Sequence, residues 1–354
     1  MDLLSNKWGV SINKKKNSKK TKKEKKGNVI KRVLALVIIA LLVVFGYTIN
    51  NIYTKINKVD FVQIDKEDLS VNKDIYEDIS EDITKDEFKE VKTVVFFGVD
   101  SRDVTNGFSG RSDTIMVASI NPGNKNICLI SIPRDTYVSI PGYGKDKINH
   151  AYSFGQEQLA IKTINENFNL NITDYVTIDF SGLINVINDV GGIELEISRD
   201  EMVYINNGVV ESYNISKNKI KKLESYGKVN LTGEQALTHS RNRTIGDDFV
   251  RASRQRKVLE ALIQKIASLD VVSIYKVSDS ILNEVKTNIE IGKYLNIGIN
   301  AIANKDEYLK NIILKQVPAA EYSSDKMIKG VYYFATDYNR AKEDFIRYIY
   351  GVKE

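Results

Sequence analysis

The stretch KTVVFFGVDSRDVTNGFSGRSDTIMVASINPGNKNICLISIPRDTYV, residues 92–138, shows the strand pattern of this chain most clearly. It contains three apolar runs, at 92–100, 113–120 and 126–132, and the turn sequence NPGN joins the last two. Short apolar runs bounded by turn residues predict buried strands. Arginines and aspartates flank these runs, so the ends of the predicted strands are where we expect functional side chains.

Outward from these strands, the chain continues as a mixture of strand and helix patterns. Helical spacing of apolar residues predicts helices at 148–168, 181–192, 233–241, 249–269, 271–287, 291–304 and 337–350. Further strands are predicted at 174–180, 193–197, 311–317 and near 328–334, and residues 198–228 form a polar stretch without a predicted element. This mixture predicts an α/β fold, a single α-β-α sandwich domain with a mixed central sheet.

The amino-terminal region predicts a membrane anchor. Residues 1–32 carry twelve of the 51 lysines and arginines but two of the 46 acidic residues, and residues 33–49 are uncharged and apolar. As a helix this run would be about 25 Å long, against about 30 Å for a hydrocarbon core. The positive-inside rule predicts a cytoplasmic tail at 1–32, a transmembrane helix at 33–49 and an extracytoplasmic remainder. A cleaved signal peptide is the alternative, but no small-x-small cleavage site follows.

The rest of the chain predicts a stalk and a catalytic body. Residues 50–90 are acidic and lack proline and glycine, which favours a partly helical stalk before a body at 91–354; the sequence leaves open whether the stalk packs on it. Outside the tail, 39 basic and 44 acidic residues leave a net charge of −5, so we expect no nucleic-acid partner. The single cysteine, Cys128, excludes an internal disulfide framework, and two histidines exclude a multi-histidine metal site.

Four clusters of arginine and acidic residues lie at predicted strand ends and at one helix start. They comprise Asp100, Arg102 and Asp103; Arg111 and Asp113; Arg134 and Asp135; and Arg241, Arg243, Asp247, Asp248, Arg251, Arg254 and Gln255. Seven converging arginines would repel one another without an anion between them, and the guanidinium fork matches phosphate oxygens. Carboxylates offer the hard oxygen ligands that Mg²⁺ prefers. The clusters therefore predict a polyphosphate site with a divalent cation; the alternative is a set of surface salt bridges.

The helix at 249–269 adds a basic face to this site. Spacings of three and four residues predict Arg254 and Gln255 on the same face as Arg251, near the helix end that attracts anions. His150 and His239 are predicted to be structural, and Cys128 to be a small buried hydrophobe. The apolar residues of 257–268 and 271–283 form either core or the lining of a hydrophobic cleft.

Eight motifs in this order resemble the LytR-CpsA-Psr family, most strongly over residues 93–268. They are GVDSRD, GRSDTIMVASI, ISIPRDTYV, KINHAY, DYVTIDF, VGGIEL, LTGEQALTHSRNR and DDFVRASRQ. Members of that family are membrane-anchored extracytoplasmic enzymes of Gram-positive envelopes, which move glycopolymers such as teichoic acids or capsule from a polyprenyl-pyrophosphate carrier onto peptidoglycan. This sequence departs from the family pattern at His239, where many members have an aromatic residue.

The resemblance implies roles for the candidate residues. It implies Mg²⁺, with Mn²⁺ as the alternative, at Asp100 and Asp113. It implies pyrophosphate contacts from Arg102, Arg111, Arg134, Arg241, Arg243, Arg251, Arg254 and Gln255. We expect Arg134, Arg241 and Arg243 to act in catalysis, Asp103 or Asp135 to accept the proton of the attacking sugar hydroxyl, and an apolar tunnel between sheet and helices to hold the prenyl chain. A carrier pyrophosphatase and a transcriptional attenuator are the alternative functions.

Overall fold

The predicted hydrophobic patterns become helices and strands along most of the body. The structure, a computed structural model, describes residues 60–75, 77, 84–100, 108, 110–216, 221–242, 244–246, 248–290, 296–298, 300–301 and 303–352. The predicted tail, the predicted transmembrane helix and residues 50–59 of the predicted stalk lie outside the described residues. Among the helices of the described part, none has the length and apolar character needed to cross a bilayer.

The elements are numbered here along the chain. The helices with defined bounds are α1 (Lys85–Glu90), α2 (Ile148–Phe168), α3 (Phe180–Asp189), α4 (Arg199–Ser216), α5 (Gly233–Ser240), α6 (Asp248–Ser268), α7 (Val271–Asn283), α8 (Lys305–Lys310) and α9 (Tyr338–Tyr350). The strands are β1 (Asp60–Phe61), β2 (Lys92–Val99), β3 (Ser112–Asn121), β4 (Asn126–Ile132), β5 (Tyr137–Ile140), β6 (Gly144–Lys147), β7 (Tyr175–Asp179), β8 (Ile193–Ile197), β9 (Gly227–Leu231), β10 (Val285–Thr287), β11 (Ile312–Gln316), β12 (Ser323–Ile328) and β13 (Val331–Thr336).

A seven-stranded mixed sheet forms the centre, in the order β1-β10-β7-β2-β3-β4-β11. β2 is parallel to β7 and antiparallel to β3, and β3 is antiparallel to β4. Successive side chains of a strand point to opposite faces. Phe97 is therefore buried among the helices of one layer, while Phe96 and Gly98 face the other layer.

Helices cover both faces of this sheet. On one face, α2 and α9 contribute Ile161, Phe168 and Phe345 to a core that includes Phe97. On the other face, α3, α5 and α6 form a second apolar cluster, which Ile178 of β7 joins from the sheet. The predicted mixed α/β fold with a central mixed sheet is confirmed.

Residues 60–75, part of the predicted stalk, pack on the body, a point that the sequence left open. Strand β1 pairs with β10 at the sheet edge, and Leu69 and Ile75 are buried in the core on the α2 face. The Asn165 side chain of α2 also donates a hydrogen bond to the Leu69 carbonyl at 2.9 Å. Single apolar residues between charged ones make no periodic pattern, so the sequence did not reveal this packing. The described residues all belong to one unit, Val59–Glu354.

Three local predictions also differ from the structure. Helix α4 occupies most of the polar stretch to which no element was assigned. The end of the predicted helix 271–287 is strand β10, whose three residues pair antiparallel with β7. The single strand predicted near 328–334 is a hairpin of β12 and β13 that turns at Lys329 and Gly330, both with positive φ. Cys128 lies inside β4, as predicted, and burial raises the pKa of its thiol to about 12.

Candidate active site

The polar ends of several strands meet at one edge of the central sheet. Strands β2 and β7 run parallel and end together at Val99 and Asp179. Strand β3 runs in the opposite direction, so it begins beside that end, and β4 ends there in turn. This topology brings Asp100, Asp113 and Arg134 to the same edge.

A cavity of about 290 Å³ lies between the sheet and the helices of the second layer. Most of its wall is apolar, with Phe96, Met116, Ile178, Phe180, Leu183, Tyr204, Leu237, Val258 and Leu259 among the lining residues. Charged and amide side chains line it as well, namely Asp100, Asp113, Asp179, Arg241, Arg251 and Gln255, which we call the charged end. The cavity therefore offers an apolar slot and an ionic end to one ligand.

One face of α6 supplies both parts of this cavity. Arg251 and Gln255 lie four residues apart at the charged end, and Val258 and Leu259 continue the same face along the apolar wall. Arg256, on another side of the helix, donates a hydrogen bond to the Ser131 hydroxyl of β4. This contact ties α6 to the sheet and orients its face toward the cavity.

Arg254 does not line the cavity, contrary to the predicted shared face. Its Nε donates to Glu201 Oε1 at 2.8 Å, and its Nη2 donates to the Ile245 carbonyl at 2.8 Å. With 3.6 residues per turn, the third residue after Arg251 lies about 60° to one side and the fourth about 40° to the other. That difference directs Arg254 toward α4, where it fixes the segment that follows α5.

Arg134 lies within a line of alternating charges beside the cavity. Its Nη1 donates to Asp113 Oδ1 at 2.8 Å and its Nε donates to Asp135 Oδ2 at 3.3 Å. Lys147 Nζ donates to the other oxygen of Asp135 at 2.6 Å. Both Asp135 oxygens thus accept hydrogen bonds from cationic side chains.

A second, smaller cavity adjoins the first. It has a volume of about 20 Å³ and lies against Arg134, Asp135 and Tyr332. It shares Asp113, Arg251 and Gln255 with the large cavity. Asp113, Arg251 and Gln255 therefore separate the two cavities and form a shared wall between them. The large apolar cavity lies on one side of this wall, and the smaller cavity with Arg134 lies on the other.

Arg241 lies at the carboxyl end of α5, where its side chain lines the charged end. Its guanidinium carbon is 4.8 Å from the centre of the Phe180 ring, a cation–π contact that orients the guanidinium plane. The start of α5 is held by a capping box, in which Thr232 and Gln235 bond each other's backbone N–H groups. The helix is thus anchored at one end and presents arginine at the other.

The remaining candidates are distributed as follows. Arg111 is exposed just before β3 and is not among the residues that line either cavity. Asp248 begins α6. Arg102, Asp103, Arg243 and Asp247 lie outside the described residues. The structure therefore brings together Asp100, Asp113, Arg134, Arg241, Arg251 and Gln255.

Sequence reasoning missed Lys147, Asp179 and Tyr332. Lys147 opens the KINHAY motif at the junction of β6 and α2, and a lone cation at such a junction was the available signal. Asp179 caps α3, because its Oδ1 accepts from the Gly182 N–H at 2.7 Å. Tyr332 comes from a hairpin about two hundred residues away, and no local pattern pointed to it.

Two carboxylates at the charged end fit the ligand preferences of a magnesium ion. Asp100 and Asp113 both line the cavity there, and Mg²⁺ is commonly held by one or two carboxylates together with substrate phosphate oxygens. Across the described residues, no group of three or more His, Cys, Asp and Glu side chains could hold a metal.

His239 is buried behind the cavity, in agreement with its predicted structural role. Its Nδ1 lies 3.9 Å from Glu201 Oε1, and burial lowers the pKa of the imidazole to about 4 despite that carboxylate. Burial opposes ionisation of Glu201 too, but hydrogen bonds from the Ser198 N–H and from Arg254 lower its pKa overall. His239 is thus neutral at neutral pH.

Replacing His239 with phenylalanine is expected to flatten part of the pH dependence of stability. The unfolded histidine, with a pKa near 6.5, binds a proton that the folded one resists until about pH 4. Stabilisation by neutral His239 is complete above about pH 6.5 and is lost as the pH falls toward 4, by about 1–3 kcal/mol relative to His239→Phe. Urea unfolding of both proteins from pH 7 to 4 measures this difference, and parallel curves would contradict it.

Comparison with known proteins places this arrangement in a family. The model of the LytR_cpsA_psr family matches residues 47–346. The Polyisoprenyl-teichoic acid–peptidoglycan teichoic acid transferase TagU of Enterococcus faecalis is 39% identical over 216 residues, 60% of this chain and 66% of that protein. The corresponding TagV of Bacillus subtilis is 35% identical over 269 residues, 74% of this chain and 65% of that protein. The matched region thus spans just under two thirds of each relative.

A solved structure extends the likeness to the fold. The LytR-CPS2A-psr family protein YwtF (TagT), with bound octaprenyl pyrophosphate lipid, aligns with a TM-score of 0.55 and 26% identity, over 75% of this chain and 92% of that chain. The family model covers most of the chain, including both cavities and the elements that carry the charged end. On this evidence the chain belongs to the LytR_cpsA_psr family.

Proposed function

We propose that this protein is a membrane-anchored transferase that moves an anionic glycopolymer, of the teichoic-acid or capsule type, from a polyprenyl-pyrophosphate carrier onto peptidoglycan. The observation that carries the proposal is the apolar cavity of about 290 Å³ with Asp100, Asp113, Arg241 and Arg251 at its charged end. A prenyl chain matches the apolar wall, and a diphosphate matches the charged end. The names of TagU and TagV as teichoic acid transferases, and the lipid bound to TagT, support the same assignment.

The side chains of the charged end would hold the diphosphate. Arg241, oriented by Phe180, and Arg251, nearly buried on α6, supply guanidinium forks, and Gln255 adds an amide beside them. Arginines fixed before the reaction stabilise the negative charge that builds on the departing polyprenyl phosphate. Arg134, held between Asp113 and Asp135, lies on the other side of the shared wall and would meet the phosphorus that carries the polymer.

Magnesium is part of this proposal, with Asp100 and Asp113 as its protein ligands. A bound divalent ion would neutralise phosphate charge and so favour departure of the polyprenyl phosphate. Arg134 would keep Asp113 oriented through the bond to its Oδ1.

The proposed step is a displacement at phosphorus. A peptidoglycan sugar hydroxyl forms a new P–O bond to the phosphorus next to the polymer, and the bond from that phosphorus to the bridging oxygen breaks, releasing polyprenyl phosphate. The hydroxyl proton passes to a carboxylate, for which Asp103 and Asp135 are the candidates. Each carboxylate oxygen has two lone pairs, so Asp135 can accept this proton while it is bonded to Lys147 and Arg134.

We also propose a location for the protein, anchored in the cell membrane with its body outside the cytoplasm. The basic run at 1–32 and the apolar run at 33–49 support an amino terminus in the cytoplasm, a single membrane span and an extracytoplasmic body. The membrane would then present the lipid-linked donor on the same side as the body. A net charge of −5 outside the tail supports the expectation of no nucleic-acid partner.

Reconstitution with a lipid-linked polymer tests the proposed function. Purified full-length protein, polyprenyl-pyrophosphate-linked teichoic acid, Mg²⁺ and peptidoglycan should yield polymer covalently attached to the peptidoglycan, and chelation of the metal should remove most of the product. Omitting the peptidoglycan provides the control. Release of phosphorylated polymer at the same rate with and without peptidoglycan would instead identify a pyrophosphatase.

A further inference from the structure

Two exposed aromatic rings stack on each other at the surface formed by the β5–β6 turn and α2. Tyr143, in the turn between β5 and β6, stacks on Phe154 of α2, with ring centres 4.5 Å apart and 14° between the planes. Tyr143 is 57% exposed and Phe154 is 42% exposed. The ring of His150 lies 6.0 Å from that of Phe154. These three side chains are called the aromatic platform below.

The platform is connected to the Arg134 side of the site by an unbroken set of contacts. His150 Nδ1 is 2.8 Å from Asp146 Oδ2, and the Tyr333 hydroxyl donates to Asp146 Oδ1 at 3.3 Å. Lys147 Nζ lies 5.8 Å from the centre of the Tyr333 ring and also binds Asp135. The platform is thus linked through Asp146 and Tyr333 to Lys147, the last residue in the line of alternating charges that includes Arg134.

The backbone holds the two regions together as well. The Asn149 N–H, in the first turn of α2, donates to the Arg134 carbonyl at 3.2 Å, and the Phe334 N–H of β13 donates to the Asp135 carbonyl at 2.9 Å. His150 and Phe154 follow on the first two turns of the same helix. Backbone hydrogen bonds therefore connect the start of α2, which carries His150 and Phe154, to Arg134.

The chemistry of the platform matches a carbohydrate. Sugar rings present flat C–H faces that pack on exposed aromatic rings, and their hydroxyls need hydrogen-bond partners beside those rings. Asp146 and His150 supply hydrogen-bonding groups next to the Tyr143–Phe154 pair. Lys145 of β6 adds an exposed cation nearby, whereas Asp146 places a carboxylate in contact with the platform, which disfavours an anionic membrane as the partner.

The geometry of the proposed reaction indicates whether the platform binds the donor polymer or the acceptor glycan. Displacement at phosphorus places the attacking and leaving oxygens roughly in line. The leaving polyprenyl phosphate would lie in the apolar cavity, so the attacking hydroxyl must arrive from the far side of the shared wall. Arg134, the smaller cavity and Tyr332 are on that side.

We propose that the aromatic platform binds the glycan strand of the peptidoglycan acceptor, next to the sugar whose hydroxyl attacks. This inference rests on the proposed function for the identity of the strand. The platform would raise acceptor affinity and leave binding of the lipid-linked donor to the large cavity.

A double variant, Tyr143→Ala with Phe154→Ala, tests the platform, and Tyr226→Ala is its matched control. Tyr226 is a tyrosine of similar exposure, 60%, that precedes β9. All three residues are exposed, so we expect the variants to fold. Isolated peptidoglycan glycan strands without peptides, free teichoic acid chains and phosphatidylglycerol vesicles are titrated against each full-length protein, and transfer kinetics are measured in parallel.

The double variant should bind glycan strands about tenfold more weakly or worse, with a matching rise in KM for the acceptor and an unchanged KM for the lipid-linked donor. Tyr226→Ala should resemble the wild type in every assay. The inference is overturned if the wild type does not bind the strands, if the double variant binds them as the wild type does, or if only binding to free polymer or to vesicles weakens.

Failure of this inference and failure of the proposed function give different results. Strand binding that depends on the platform, in a protein that transfers no polymer, would retain the platform as a glycan site and refute the transferase. Transfer that is insensitive to the double substitution would retain the transferase and refute the platform.

Discussion

Replacing Arg134 with alanine is expected to lower the rate of polymer transfer by about three orders of magnitude, the usual scale for an arginine that stabilises charge in phosphoryl transfer. The guanidinium binds Asp113 and Asp135 at once, so its loss removes a cation from the proposed reaction centre and releases Asp113. Lys147 still pairs with Asp135, and the fold should be retained. Transfer kinetics and thermal unfolding of the same preparation measure both effects.

Two further substitutions serve as controls for Arg134. Arg134→Lys keeps the positive charge without the planar fork, and it should recover only a small part of the rate. Arg340→Ala removes an exposed arginine of α9 that stacks on Tyr322, and it should transfer at the wild-type rate. Full transfer by Arg134→Ala would refute the proposed role of the charged end and its neighbours.

Replacing Leu259 with tryptophan is expected to abolish retention of a polyprenyl lipid. Leu259 lies on the apolar wall of the large cavity, and a larger indole at this position would occupy the space into which the chain must insert. We expect binding of polyprenyl phosphate to weaken at least about a hundredfold, because most of the apolar contact is lost. Mass spectrometry of protein extracted from membranes, and titration with the lipid, measure this loss.

Val272→Trp is the control for that substitution. Val272 is 62% exposed on α7, so the same change there adds bulk to the surface and leaves the cavity open. Both variants should unfold in a single cooperative transition, like the wild type. Lipid binding by Leu259→Trp at wild-type strength would mean that the prenyl chain lies elsewhere and that the cavity has another occupant.

The predicted strands carried most of the information about the site. Strands β2, β3 and β4 lie within one or two residues of the apolar runs that predicted them, because continuous apolar runs between turns have few alternatives. The charged residues that follow those strands therefore met at one sheet edge. For this reason Asp100, Asp113 and Arg134 could be identified from the sequence. They come from three separate segments, yet Asp100 and Asp113 line one cavity and Arg134 pairs with Asp113.

Other parts of the site left no readable local pattern. Helix α4 has a polar sequence that contains two adjacent asparagines and Gly208, which together argue against a helix. Gly208 is required there because a side-chain Cβ would lie 2.5 Å from Thr238 Cγ2 of α5. The helix is thus stabilised by its close approach to α5, an interaction that the local sequence does not encode.

The roles of the arginines on α6 could not be predicted from their spacing alone, because they also depend on the residues that each arginine contacts. Arg251 and Arg254 share a residue type, a helix and nearly a face, yet one lines the cavity while the other binds Glu201 and a backbone carbonyl. Likewise the sequence did not single out Lys147, whose bond to Asp135 forms because the end of β6 lies beside the residues that follow β4. Residue type and helix position alone therefore did not distinguish an arginine that lines the cavity from one that binds Glu201.

The amino-acid sequence by itself determined the apolar strands, the order of the motifs and the arginine-rich strand ends, since these follow from local patterns of hydrophobicity and charge. Tertiary structure was needed to show that residues 60–75 join the core, that α4 lines the large cavity and that Tyr332 and Arg134 line the smaller one. The physical reason is that such contacts join segments far apart in the chain. Their free energy arises only when the sheet and both helical layers have assembled.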